Sequence, residues 1–300
     1  MDDRTLLMHQ VMLADRRRIQ AYDRALARSV RSGDVVIDVG AGLLVLSFLA
    51  LRHGARHVYA IEADPETAFL ARQIVAHNNL EDRLTVIEGD ARLVHTPEKA
   101  DVLVSEMMGN LGPEEEMAAI VAAVARHNVR SGGRLVPERL VTRVRAVELG
   151  PEGWGVWQGE VGGFSLGPVR DYASGAAQLH FFQRQPRLLT DAAVIADSRM
   201  GEGDRDRGGT LALRVTKVGT LHAIIGYFTA TLVPGIELSN FPSYSGCNWA
   251  VCVWPMQYTD VVPGDEIRVE VQRPTNIRVA TDWRLSCGLA RKHEQCLSTR

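Results

Sequence analysis

Residues Ile37–Asp64 read IDVGAGLLVLSFLALRHGARHVYAIEAD, and Asp101–Met117 read DVLVSEMMGNLGPEEEM. The first stretch has the pattern of a strand, a glycine turn, a helix and a second strand ending in an acid. Val35–Val39 is apolar apart from Asp38, which implies a strand buried on both faces and therefore a parallel sheet. Asp38-x-Gly40-x-Gly42 closes that strand. Glycines at this point let the backbone approach a ligand and turn into a helix whose N-terminal amides face it. Glu62 ends the second strand about twenty residues on, where a carboxylate can accept both hydroxyls of a ribose; its bland alternative is a solvated strand end. The dinucleotide fingerprint requires a third glycine for the pyrophosphate, and position 45 is Val. A nucleoside with a carboxylate and no phosphate fits better, and S-adenosylmethionine is such a molecule. A basic residue should then lie near the turn, and Arg16, Arg17 and Arg18 stand just upstream.

Working outward, residues 8–30 read as one helix, Leu44–His53 and Asp64–Asn78 as two more, and Glu114–Asn128 as a fourth. Asp64-Pro65 supplies an N-cap and a proline at the first helical position. Val58–Glu62, Leu84–Glu88 and Asp101–Ser105 read as strands between them, so strands and helices alternate as in a doubly wound α/β domain. After Gly132-Gly133 the texture changes to consecutive β patterns such as RLVPERLVTRVRAVEL and HAIIGYFTATLV, which predict a β-barrel or sandwich. About Gly153 to Pro186 the strand signal weakens and glycine and aromatic residues increase.

The net charge is −2, so no global field favours nucleic acid or an anionic membrane, and neither partner is expected. Cysteines at 247, 252, 287 and 296 form no C-x-x-C pair, which argues against a zinc site or a disulfide framework. MDDRTLLMHQ lacks an apolar signal core, and the longest apolar run, Val35–Ala50, is interrupted by polar residues and glycine. A cytoplasmic protein is expected.

In the second stretch Glu106 ends a buried strand, where an unpaired carboxylate is expensive. Glu115 lies beyond a Gly/Pro loop within a run of three glutamates at a helix N-terminus, where acids are also favoured as solvated caps. Two carboxylates beside a nucleoside pocket can hold a planar cation, and a guanidinium matches their geometry. Asp90, at the end of the third strand, fits either the adenine edge or an ordinary Asx-turn.

With these residues in view, the chain resembles the protein arginine methyltransferases. His9-x-x-Met12-Leu13-x-Asp15-x-x-Arg18-x-x-x-Tyr22 is similar to that family's entry helix. GARHVYAIEA, NNLEDRLTVIEGDA and DVLVSEMMG follow its pattern, and Ser105-Glu106-x-Met108-Gly109 with Glu115-x-Met117 has the spacing of its double-glutamate loop. Asn248-Trp249 resembles its Thr-His-Trp loop. The likeness is strong over residues 9–150 and weaker through the barrel. It implies a class I methyltransferase fold: a helical segment at 1–32, a Rossmann-like domain at 33–136, and a β-barrel at 137–300 with a dimerisation arm near 164–177. It implies S-adenosylmethionine as cofactor, held by His9, Arg18, Asp38, Gly40, Gly42, Glu62, Asp90 and Ala91. Glu106 and Glu115 are implied as the catalytic clamp, Asp15, Met108, Asn248 and Trp249 as the substrate channel, and a homodimer as the assembly. Read from the residues alone, Met108 and Trp249 are also ordinary packing residues, and His9 an ordinary terminal histidine.

The chain also departs from the family. Leu44 stands where the turn has its third glycine, with a narrowed pocket or a shifted turn as the expected result. Arg92 stands where the family has an acid near the adenine, and the aromatic motif ahead of the entry helix is not found in the residues before His9. Asn248 replaces the histidine that pairs with the aspartate matching Asp15, and Cys247 replaces threonine. An asparagine can hydrogen-bond Asp15 but carries no charge. The expectation drawn is a compact acceptor: methylation of a terminal guanidino nitrogen of free L-arginine or an arginine-derived intermediate of natural-product biosynthesis. Arg170, Asp171, Tyr172 and Tyr244 are candidates for its α-carboxylate and α-ammonium. The alternatives are a protein arginine N-methyltransferase and a non-catalytic or differently specific S-adenosylmethionine binder.

Overall fold

The computed structural model describes residues 3–150, 154–172, 177–202, 209–244, 248–273 and 279–291. Helix α1 (Asp3–Ala14) leads into α2 (Arg16–Ser29). The single helix expected over residues 8–30 is thus two helices. Asp15 breaks it by leaving helical geometry (ψ 85°) to cap α2, its side chain accepting the Arg18 N–H at 3.0 Å. Strand β1 (Val35–Val39), α3 (Val45–Arg52), β2 (His57–Glu62), α4 (Pro65–His77), β3 (Leu84–Glu88), β4 (Ala100–Ser105), α5 (Met117–Asn128) and β5 (Val129–Val136) follow. The helix expected from Glu114 begins instead at Met117, because Glu116 takes a left-handed conformation (φ 54°) between a 3-10 turn at Pro113–Glu115 and α5.

These strands form a parallel sheet in the order β3-β2-β1-β4-β5. The central β1 and β4 are buried at every position, as a parallel sheet covered on both faces requires. Asp64 caps α4 by accepting the Thr67 N–H at 2.8 Å, with Pro65 at the first helical position, as the sequence predicts. Tyr22, Ala25, Leu26 and Ser29 make the buried stripe of α2, spaced at helical period.

Gly132 and Gly133 lie inside β5, and the antiparallel region starts with β6 (Arg139–Glu148). It continues through β7 (Glu160–Val161), β8 (Phe164–Ser165), β9 (Gln178–His180), β10 (Arg187–Leu188), β11 (Ala193–Arg199), β12 (Gly209–Arg214), β13 (Gly219–Val233), β14 (Ile236–Ser239), β15 (Val251–Val261), β16 (Glu266–Gln272) and β17 (Arg284–Ala290). One sheet runs β10-β6-β13-β15-β9, with β11 on β6 and β14 on β13; a second runs β12-β16-β17. Val144, Ile224 and Trp254 of the first sheet share a core with Ile267 and Val269 of the second, giving a barrel-like β domain. The β7–β8 hairpin stands apart from both sheets.

The parallel and antiparallel parts are joined by a common core. Phe228, Leu232 and Leu238 of β13–β14 pack in the same cluster as Tyr22, Leu26 and the strands of the parallel sheet. Among the described residues no helix is long and apolar enough to cross a membrane, and no group of three metal-ligating side chains forms. Cys252 and Cys287 are free thiols, while Cys247 and Cys296 lie outside the described residues.

Candidate active site

Helix α1, the turn between β1 and α3, and the loop after β4 meet around a cavity of about 620 Å³. His9, Arg18, Gly40, Gly42, Glu62, Glu106, Met108, Glu115, Asn248 and Trp249 all line it.

The glycine turn is bound to the end of β2. The Gly40 and Ala41 N–H groups donate to the Ile61 carbonyl at 2.9 and 3.1 Å. Glu62 receives the Gly42 N–H on Oε2 and the Asp64 N–H on Oε1, each at 2.9 Å, which fixes its carboxylate at the cavity wall. Gly40 and Gly42 have φ of +70° and +51°, and a Cβ on either would press at 2.9–3.0 Å against Met107 or the His9 ring. Backbone, not side chain, therefore faces the cavity here. Burial pushes the His9 imidazole pKa down, partly offset by the charge of Glu62.

Two expectations about this turn are corrected. Leu44 does not line the cavity, so its side chain does not narrow it. It adopts the left-handed conformation itself (φ 70°) and places its side chain, 0% exposed, in the core. Asp38 does not line the cavity, because it sits on a strand buried on both faces. Its Oδ2 accepts the Ser47 hydroxyl at 2.7 Å, its Oδ1 has no partner among the described residues, and burial pushes its carboxyl up to about 7. Asp38 braces the turn by holding the first turn of α3.

Asp90 and Ala91 also lie off the cavity. Asp90 is held in an Asx-turn by the Arg92 N–H at 3.0 Å and forked by that arginine's Nε and Nη2, which keeps its carboxyl below the usual range. Arg92 is therefore a partner of Asp90. Ala91 is buried in the core.

Asp15 is buried where α1 meets α2 and accepts the backbone N–H of Asn248 at 3.2 Å. The Asn248 side chain turns away and donates to the Val11 carbonyl at 2.7 Å. The expected amide-to-Asp15 contact is thus made by the backbone at 248, and does not depend on which side chain stands there. Cys247 lies outside the described residues. Arg18, one turn into α2, pairs with Glu106, lies over the Trp249 ring at 4.8 Å and reaches Met12 Sδ at 3.4 Å.

Glu106 is positioned by a chain of buried bonds. The Tyr22 hydroxyl donates to the Ser105 carbonyl at 2.9 Å, and the Ser105 hydroxyl donates to the Val39 carbonyl at 2.9 Å. The end of β4 is therefore tied to both α2 and β1, one residue before Glu106. Beyond it, the loop to Glu115 is held from the β domain. Trp249 Nε1 donates to the Met108 carbonyl at 2.8 Å, Asn240 Nδ2 to the Asn110 carbonyl at 2.7 Å, and Thr142 Oγ1 to the Leu111 carbonyl at 2.7 Å. Glu115 lines the cavity but remains solvent-exposed; the partial desolvation there pushes its carboxyl up, against the downward pull of Arg18.

Sequence reasoning missed Asn240, Thr142, Met107 and Glu114. The first two come from distant β elements and have no local signal. Met107 stood between motif residues, and Glu114 read as a solvated cap but is buried at 5% exposure. Of the acceptor-binding candidates, Tyr244 stacks under Arg17 at 5.4 Å and Tyr172 is 84% exposed; the side chains of Arg170 and Asp171 lie outside the described set.

A sequence model of the TRM5/TYW2 methyltransferase domain matches residues 6–136. Probable histone-arginine methyltransferase 1.4 of Arabidopsis thaliana is 44% identical over 135 residues, which are 44% of this chain and 25% of the relative, so the chain spans a quarter of that protein's length. Protein arginine N-methyltransferase 6 of Danio rerio is 27% identical over 97% of this chain and 89% of its own length. The solved Trypanosoma brucei PRMT1 enzyme–prozyme heterotetrameric complex with AdoHcy superposes with a TM-score of 0.75 at 22% identity, covering 95% of this chain and 98% of that one; at that identity the likeness concerns the fold.

Proposed function

We propose that this protein arginine methyltransferase-like class I methyltransferase uses S-adenosylmethionine to methylate a guanidino nitrogen of arginine, with peptide or protein arginine as acceptor. The observation that carries this reading is the placing of Glu106 and Glu115 on the same cavity as Glu62 and the bare glycine turn.

The residues fit the cofactor. A cavity of about 620 Å³ lies within the size of ordinary small-molecule sites. Gly40 and Gly42 leave a cradle that a Cβ would fill, Glu62 presents a fixed carboxylate for a ribose, and Arg18 supplies a cation for an amino-acid carboxylate. When bound, S-adenosylmethionine supplies an activated methyl group on a sulfonium. The relative complex with AdoHcy supports the choice of this cofactor.

A guanidinium is a weak nucleophile because its lone pairs are delocalised, and it is protonated at any ordinary pH. Glu106 and Glu115 can accept its N–H groups in fork geometry and draw positive charge towards the nitrogens they touch. The nitrogen left free gains lone-pair character and is oriented for attack. In the structure Glu106 is paired with the Arg18 guanidinium, which lies on Trp249, so the acceptor and the cofactor carboxylate would each take over one side of that ion pair. Proton loss after attack can be accepted at a Glu115 oxygen or passed to water, since the Glu115 side chain lines the cavity and is open to solvent.

Two observations favour a peptide acceptor over free L-arginine. Among the described residues the basic side chains lining the cavity are His9 and Arg18, so a free amino acid would compete with the cofactor for Arg18. The substitution at Asn248, which suggested a reshaped site, leaves Asp15 satisfied through the backbone. Incubation with labelled S-adenosylmethionine and arginine peptides, L-arginine or L-arginine amide tests this, with mass spectrometry locating the methyl group. The peptide should be preferred at least about tenfold in kcat/KM, the worth of one ion contact. Preference for L-arginine restores the small-molecule reading, and a product methylated on lysine or oxygen sinks the clamp.

A further inference from the structure

A third carboxyl, outside the clamp, lies between Glu106 and Glu115. Glu114 is 5% exposed. Its Oε1 accepts the Leu111 N–H at 2.6 Å, whereas Oε2 is buried without a hydrogen-bond partner among the described residues. The carboxyl fills the space beside Gly109, where an added Cβ would collide with Glu114 Cδ. Gly109 and Asn110 line the cavity, and the next residue after Glu114 is Glu115. The glutamate side chain therefore closes the inner turn of the loop that carries half of the clamp.

Among the described residues the surroundings offer no cation. Glu115 of the same 3-10 turn faces it with like charge, and β15 contributes the buried Cys252 thiol, whose own pKa the Glu114 charge helps to raise. From β6 come uncharged groups, Leu140 against Gly112 and Thr142 on the Leu111 carbonyl. The backbone amides of Leu111, Gly112 and Glu114 favour the ionised form, but desolvation outweighs them, because ionisation would leave Oε2 charged and buried without a well-formed hydrogen bond, while a neutral carboxyl keeps its bond to Leu111.

We propose that Glu114 is a positioning residue: its neutral carboxyl seals the Gly109–Leu111 turn and seats Glu115 for the acceptor, and its ionisation loosens that turn and weakens acceptor binding. Burial pushes this carboxyl up to about 7, so the change falls in the neutral range. The inference rests on the guanidinium-clamp reading of the same loop.

The test compares wild type with Glu114→Gln, an uncharged isostere. KM for an arginine peptide is measured from pH 6 to 8.5, and adenosylhomocysteine affinity in parallel. Wild-type KM should rise at least about fivefold across that range. Glu114→Gln should stay near the low-pH value, and cofactor affinity should be constant in both. Parallel KM profiles overturn the proposal, because a merely structural side chain would shift both ends equally. If the variant does not fold, the wild-type profile decides alone, and a flat one overturns it.

A substrate-free arm separates this from the function itself. A carboxyl raised from 4.5 to about 7 on folding stabilises fully below 4.5, and that stability is lost as pH rises to about 7. The wild-type melting temperature should therefore fall more than that of Glu114→Gln between those values, and run parallel above them. Equal melting profiles overturn the ionisation. A melting difference without methylation of any guanidine supports the ionisation of Glu114 and defeats the clamp assignment.

Discussion

At Leu44 two energies of opposite sign meet. A left-handed backbone costs a non-glycine residue about 1–2 kcal/mol, which the φ of 70° incurs. The side chain is fully buried, and truncating such a leucine costs about 2–5 kcal/mol. Packing outweighs strain, so Leu44→Gly should lower stability by about 1–3 kcal/mol in denaturant unfolding even though it supplies the glycine the turn's geometry favours. An equal or more stable variant would show that the leucine is not packed as described. Glu106 is a simpler case. The acceptor bond proposed for its carboxylate is charge-assisted, and bonds of this kind are worth about 1.5–3 kcal/mol. Glu106→Gln and Glu115→Gln should each lower kcat/KM by at least about tenfold, and up to a hundredfold. Adenosylhomocysteine affinity, read by calorimetry, should stay within a few-fold. A variant of either kind with normal turnover would end the clamp mechanism.

Among the elements, the loop from Glu106 to Glu115 carries the candidate clamp residues, but β6, the segment after β14 and the segment before β15 hold three of its carbonyls. Thr142→Val keeps the shape and strands the Leu111 carbonyl, at a cost of about 1–3 kcal/mol for a buried unsatisfied group. Asn240→Ala removes more. That side chain donates to Asn110 and Ala250 and accepts the Phe228 N–H, all within 2.8 Å. Asn240→Ala should therefore destabilise more than Thr142→Val. Both should lower kcat while leaving cofactor affinity close to wild type, since neither touches the glycine turn or Glu62. Loss of adenosylhomocysteine binding in a folded Thr142→Val protein would mean that the two halves of the cavity are not separable.

At the scale of the molecule, the two domains share one core, yet the excursion between β6 and β9 leaves apolar groups in water. Phe164 is 76% exposed, Tyr172 84% and Val161 53%. Exposed apolar side chains along one excursion, Val161 and Phe164 on a hairpin detached from both sheets and Tyr172 at the end of the following 3-10 turn, have the character of an interaction site. A homodimer is expected, with this segment docked on a second copy. Phe164→Asp combined with Tyr172→Asp should shift a dimer to monomer by light scattering at micromolar concentration. A wild-type monomer, or a double variant that remains dimeric, would remove this role from the segment.

Much of this protein was legible in the linear chain because its signals are local. Val35–Val39 and Ala100–Ser105 are apolar runs of strand length, Asp64-Pro65 is a cap that needs no distant partner, and Gly40, Gly42, Glu62, Glu106 and Glu115 stand at fixed offsets from strand ends. A parallel sheet turns those offsets into proximity, since consecutive strand ends point to one edge. Other features depended on partners far away in sequence. Asp15 is satisfied by a backbone amide 233 residues later, so the side chain at 248 held less information than its type suggested. Asp90 met Arg92 instead of the cavity, and Asp38 turned inward because both faces of its strand are covered. Glu114 was indistinguishable from its neighbours in a run of three acids until packing buried it and left Glu115 and Glu116 exposed. Chain order determined which groups lie at strand ends and helix starts; burial and long-range hydrogen bonding, which no short window of sequence contains, decided which of those groups face the cavity and in what ionisation state.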